Sequence, residues 1–127
     1  MATAHLIHGF LGAGKTTFAR RLETSLPAIR FTQDEWMVRL YGQNPPAAEF
    51  PRYSAKVSAL IDTVWPRCLE VGADVVLDLN FWSRPHRDEA RRLASEAGAT
   101  CIVYALHVSD AVALERIAGR TPKPVSC

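Results

Sequence analysis

Nowhere in these 127 residues is there an apolar run long enough to span a bilayer. The first strand-like stretch starts within a few residues of Met1, ahead of which a signal peptide has no room. A soluble, cytoplasmic chain without a membrane partner is therefore the expectation. Cysteine is scarce and scattered: Cys68, Cys101 and Cys127 are odd in number and form no C-x-x-C pair, which argues against a zinc or redox motif and reads Cys68 and Cys101 as buried thiols. Charge of one sign is nearly balanced as well. A formal excess of only +2 does not announce a nucleic-acid surface, so nucleic acid stays open as a partner without being indicated. Repeats and low-complexity segments are absent. What remains is a chain 48% apolar and 22% charged, which excludes wholesale disorder and fits one domain of ordinary size.

Against these absences stands one complete motif. Gly9-Phe10-Leu11-Gly12-Ala13-Gly14-Lys15-Thr16 reads G-x-x-x-x-G-K-T, and Thr17 follows. Ala4 to His8 before it reads as a strand and Thr16 to Glu23 after it as a helix, the context a phosphate-binding loop requires. The glycines are expected to adopt backbone conformations closed to other residues, so that successive N–H groups converge on phosphate oxygens. The helix that follows adds the positive end of its dipole. Gly9, Gly12, Ala13, Gly14, Lys15, Thr16 and Thr17 are thus the expected nucleotide-binding set. Lys15 reaches the β- and γ-phosphates, and the Thr16 hydroxyl ligates the magnesium ion that accompanies them.

Strands and helices alternate through the rest of the chain. Ala28 to Phe31 reads as a second strand, and Thr32-Gln33-Asp34-Glu35 has the spacing of a capping box opening a helix that Gly42 ends. The proline-rich stretch from Gln43 to Pro51 reads as a loop. Val57, Leu60, Ile61 and Val64 then predict one buried helical face, with Pro66 as a kink or break before Gly72. Asp74 to Asp78 reads as a buried parallel strand, Ala90 to Ala97 as a helix stopped by Gly98, and Cys101 to Val108 as a fourth strand. Ser109 is a suitable N-cap for a last helix ending near Gly119. The expected class is α/β, a three-layer parallel sheet with helices on both faces and its ligand site at the carboxyl ends of the strands.

Two acids stand at strand ends in this scheme. Asp78 closes the third strand, where a carboxylate beside the nucleotide holds magnesium in the Walker B manner; the alternative is an Asp bonded to the following turn. Asp34 follows the second strand and is placed to take the proton of an acceptor hydroxyl as that oxygen attacks the γ-phosphorus; the alternative is an acid favoured by the start of its helix. Arginines gather toward the carboxyl side. Arg84 and Arg87 are candidates for substrate or phosphate contact, and Arg116 and Arg120 for stabilising charge on the transferring phosphoryl group, since a guanidinium offers a planar fork of donors. Trp36, Tyr41, Phe81 and Trp82 stand between two readings, acceptor pocket and core.

Gly9 to Thr17, Asp34, Asp78 and the Arg116/Arg120 pair resemble a group of small P-loop kinases that includes the zeta toxins, chloramphenicol phosphotransferase and the kinase domain of polynucleotide kinases. The resemblance covers about residues 4 to 120. It implies a P-loop NTPase fold with strand order 2-3-1-4, an Asp34 that acts on the acceptor hydroxyl, and a lid carrying Arg116 and Arg120 over ATP. The implied activity is transfer of the γ-phosphoryl group of Mg-ATP to an alcohol oxygen of a small molecule. Residues 1–127 are expected to form a single kinase-like domain. After Arg120 only seven residues remain where relatives continue through the lid into a fifth strand. Two expectations follow: a truncated form that lacks the fifth strand, or a chain that borrows its last element from a partner. The loop also resembles that of CobW-type GTPases that act as metallochaperones, but their C-x-C-C and N-K-x-D motifs are not found here. A nucleotide-binding module without catalysis is a third alternative.

Overall fold

The computed structural model describes residues 1–9, 14–79, 83–106 and 125–126. Its elements run β1 (Thr3–Gly9), α1 (Lys15–Ser25), β2 (Ile29–Thr32), α2 (Gln33–Tyr41), α3 (Phe50–Glu70), β3 (Val75–Asp78), α4 (Arg84–Glu96), β4 (Thr100–Leu106) and β5 (Val125–Ser126). They build one sheet in the order β2-β3-β1-β4-β5. The first four strands are parallel, in the order the resemblance implied.

The crossover rule explains where the helices lie. The chain leaves β1 toward β2 and later leaves β3 toward β4, in opposite directions across the sheet. Right-handed connections then place α1 on one face and α2, α3 and α4 on the other. Two apolar cores result. Phe18, Ala19 and Leu22 of α1 pack on Ile7, Val76, Tyr104 and Leu106. Met37, Val57, Ile61, Trp65, Ala90 and Ala94 pack on Leu6, Phe31, Val75 and Leu77. Alternation along each strand sorts the residues between the two faces, Leu6 to one side and Ile7 to the other.

Several local expectations are corrected. A fifth strand is present, as two residues pairing antiparallel with Ile102 and Val103 of β4. The loop expected through Pro51 is shorter, because α3 begins at Phe50 and Pro51 occupies its first turn, where a missing N–H costs nothing. Pro66 lies inside α3, which continues to Glu70 rather than breaking. The buried stripe of α3 is Val57, Ile61, Trp65 and Leu69, a spacing of four, while Leu60 and Val64 face outward. Cys68 is the free thiol expected but is half-buried rather than buried, whereas Cys101 is disulfide-bonded rather than a thiol. Trp36 and Tyr41 pack against the larger core, and Tyr41 stacks on Tyr53 at 3.8 Å between ring centroids. The last helix expected from Ser109, together with Arg116, Arg120, Gly12, Ala13, Phe81 and Trp82, lies outside the described residues. Among the described residues no helix is long and apolar enough to cross a membrane.

Candidate active site

The strand order creates a switch point between β1 and β3, whose onward connections depart to opposite sides. In open α/β sheets such a point opens a crevice at the carboxyl ends of the strands. Gly9 ends β1 there. Its requirement for glycine differs from the expected one: its φ is not positive, and a Cβ at this position would lie 2.9 Å from the Leu106 carbonyl oxygen of β4. Close strand approach, rather than a left-handed turn, excludes a side chain. Gly14 does follow the expectation. With φ 81° it is left-handed and caps α1 without a side-chain acceptor. The first turn of α1 contains no acidic residue, so no carboxylate of the helix itself competes for its free N–H groups.

Lys15 opens α1 and sits largely buried. Its Nζ donates to the Leu79 carbonyl at 2.8 Å and stands 4.0 Å from Asp78 Oδ1. Burial pulls its ammonium below the ordinary lysine value, opposed by the charges of Asp78 and Asp34. One residue on, the Thr16 hydroxyl donates to Asp78 Oδ2 at 2.8 Å. Thr17 is exposed.

Asp78 gathers more than sequence reading expected. Parallel register pairs Thr32 with Asp78 and Arg30 with Val76, so these side chains share the face that carries α1. The Thr32 hydroxyl accordingly donates to Asp78 Oδ2 at 3.1 Å and accepts from Arg30 Nη1 at 2.5 Å. Arg30 also binds Glu23 of α1 at 3.0 Å and Glu35 of α2 at 2.8 Å. The capping box read from Thr32 and Glu35 does not form: Thr32 is the N-cap but makes no side-chain cap bond. Its hydroxyl is engaged by Asp78 and Arg30, and Glu35 is engaged by Arg30 and Arg20. Contact with Arg30 holds the Glu35 carboxyl below its usual range.

On the opposite face a cleft of about 910 Å³ opens between α2, α3 and α4. Asp34 lines it at the start of α2, and so does Leu79, whose carbonyl holds Lys15. Gln33, which sequence reading passed over, is buried at the same point and donates to Ser54 Oγ and Ser58 Oγ, both at 3.0 Å. Asp62 and Glu89 also line the cleft and were not anticipated. Arg84 and Arg87 open α4 without lining the cleft. Arg84 is highly exposed and stands 4.0 Å from Asp88.

Two hard oxygen donors, from Thr16 and Asp78, lie together at the carboxyl end of β3. The described residues contain no cluster of three or more His, Cys, Asp or Glu side chains able to enclose a metal. That donor set does not fit a dedicated protein cage. It does fit magnesium, which keeps several waters and is held by one or two protein oxygens together with substrate phosphates.

The AAA domain family model, AAA_33, matches residues 5–126. Among solved structures, a chain of the Pnkp1/Rnl/Hen1 complex aligns with a TM-score of 0.72 at 16% identity, over 98% of this chain and 45% of that one. A candidate kinase from Chloroflexus aurantiacus aligns at 0.71 and 21% identity, over 92% of this chain and 68% of that one. A gluconokinase from Sinorhizobium meliloti aligns at 0.54 and 19% identity, over 94% and 67%. The chain therefore spans under half the length of the Pnkp1/Rnl/Hen1 chain. At these identities the likenesses establish the fold alone. No curated protein matches the sequence.

Proposed function

Because the chain belongs to the AAA domain family, with its P-loop kinase fold, we propose that it transfers the γ-phosphoryl group of Mg-ATP to a hydroxyl group of a small molecule. The observation that supports this most is the convergence of Lys15, Thr16 and Asp78 at the switch point, beside a cleft that Asp34 lines. In this reading Gly9, Gly12, Ala13 and Gly14 let the loop backbone approach the phosphates. Lys15 leaves the Leu79 carbonyl for the β- and γ-phosphates. Thr17 contacts the α-phosphate.

Thr16 and Asp78 are the oxygens proposed to hold magnesium, which, when bound with the nucleotide, neutralises charge on the phosphate oxygens. Thr32 and Arg30 keep the Asp78 carboxylate oriented. Asp34 accepts the proton of the acceptor hydroxyl as the new oxygen–phosphorus bond forms and the bond to the β-phosphate oxygen breaks. Arg116 and Arg120 are assigned to the transferring phosphoryl group by the resemblance alone. Arg84 and Arg87 open the helix whose His86 and Glu89 line the cleft but do not line it themselves, so of the two contacts expected for them, substrate or phosphate, this reading keeps the phosphate.

Calorimetric titration with ATP and GTP, with and without magnesium, tests the nucleotide half of this reading. The expected result is magnesium-dependent ATP binding that Lys15→Ala abolishes. Preference for GTP, or binding indifferent to Lys15, would contradict it.

A further inference from the structure

The cleft beside Asp34 has a charge pattern that selects among acceptors. Its described lining carries three carboxylates, Asp34, Asp62 and Glu89, and no lysine or arginine; His86 is the remaining titratable group. The chain as a whole has a formal charge of +2, so the cleft is set apart in sign from the rest of the molecule. Glu89 is engaged by Arg92, whose guanidinium lies outside the lining. Asp62 is different. Its Oδ1 accepts from Trp65 Nε1 at 2.9 Å, and among the described residues no lysine or arginine forms an ion pair with it. Much of the remaining lining is apolar, including Phe50, Ala59 and Leu93.

Resting on the kinase reading above, we propose that the acceptor is a hydroxyl-bearing organic cation, an amine-bearing alcohol with an apolar frame, whose ammonium group pairs with Asp62, beside Glu89, while its hydroxyl meets Asp34. The volume of about 910 Å³ admits a molecule of that kind. The apolar lining takes its frame. An acceptor that already carries phosphate meets the like charge of Asp34 and Asp62 and is disfavoured by repulsion as well as by any lost contact. Burial, reinforced by Glu89 and opposed by the Trp65 hydrogen bond and by His86, raises the carboxyl group of Asp62 above its usual value. A carboxylate kept in that position at a cost to folding is characteristic of a binding site.

Ligand-observed NMR on the full chain, with aminocyclohexanol, cyclohexanediol and cyclohexanediol monophosphate as matched probes, tests the proposal. The amine form is expected to bind in preference to the other two. Asp62→Asn and Glu89→Gln should each reduce that preference, Asp62→Asn by about tenfold, the scale of a lost hydrogen bond to a charged group. Magnesium-dependent ATP affinity of both variants should match the wild type, which also verifies that they fold. Equal or tighter binding of the neutral or phosphorylated probe, retention of the amine preference in Asp62→Asn, or binding of none of the three would overturn the charge assignment. Loss of the kinase reading shows separately, as ATP binding that Lys15→Ala leaves intact.

Discussion

Single atoms decide much of this site. A methyl group at Gly9 would meet the Leu106 carbonyl oxygen at 2.9 Å and the Leu106 Cβ at 3.1 Å. Gly9→Ala is therefore expected to destabilise the fold by about 1–3 kcal/mol, the usual cost of overpacking, seen as a lower Tm. An unchanged Tm would show that β1 and β4 separate at no cost. Asp62→Asn should act in the opposite direction. Its folded carboxyl holds a proton more readily than in the unfolded chain, so its charge penalises folding at pH values above the folded pKa, and the penalty disappears as pH falls through it. Asparagine keeps the shape and an acceptor for Trp65 without the charge. Thermal melts at neutral pH should show a Tm higher by a few degrees; a lower Tm would mean that the carboxylate contributes to stability.

Lys15 and Thr16 were legible as a pair because the P-loop is local in sequence, and their meeting with Asp78 was foreseeable from an acid that closes an apolar strand. Gln33, Asp62 and Glu89 were not. They become neighbours only when α2, α3 and α4 pack on one face, and nothing in their flanking residues announces that.

Elements were legible where periodicity was strong and less so at their ends. Helix α3 was expected from the apolar spacing after Val57, yet its buried stripe runs every fourth residue through Trp65 and Leu69. An aromatic side chain beside a proline did not look like the centre of a buried face. The start of α3 at Phe50 shows the same ambiguity, since Pro51 fits a loop and a first helical turn equally well. Strand β1 supplies a pH test. His5 is buried on it, with Nδ1 at 3.0 Å from the Tyr104 hydroxyl and Nε2 at 3.6 Å from Asp74 Oδ2. Burial lowers its pKa, against the opposing pull of Asp74. The unfolded chain therefore takes up the proton first as pH falls below the ordinary value of 6.5, and stability declines from there toward the folded value. Between about pH 7.5 and 5.5, Tm should fall more steeply in the wild type than in His5→Gln. Parallel slopes would assign the acid sensitivity to other groups.

At the scale of the whole molecule, alternation of strands and helices behind a P-loop fits several doubly wound orders, and the observed β2-β3-β1-β4 is the one that the resemblance to small P-loop kinases implied. Right-handed crossovers then separate the face with α1, Thr16, Thr32 and Asp78 from the face with Asp34 and the cleft; in the proposed reading the first takes the phosphates and the second the acceptor. Leu79 lines the cleft while its carbonyl binds Lys15, so the two sides meet at one residue. A kinase needs its nucleotide and its acceptor to meet at such a point. The measurement that tests this most directly is transfer of a radiolabelled γ-phosphate from Mg-ATP to hydroxyl compounds, by the wild type and by Asp34→Asn. The wild type is expected to place label on the acceptor oxygen. With Asp34→Asn the expected rate is lower by about 10²–10⁴-fold at unchanged ATP affinity, the scale of a lost general base. Label that reaches no hydroxyl compound, or that is transferred equally well without the Asp34 carboxylate, would contradict this reading.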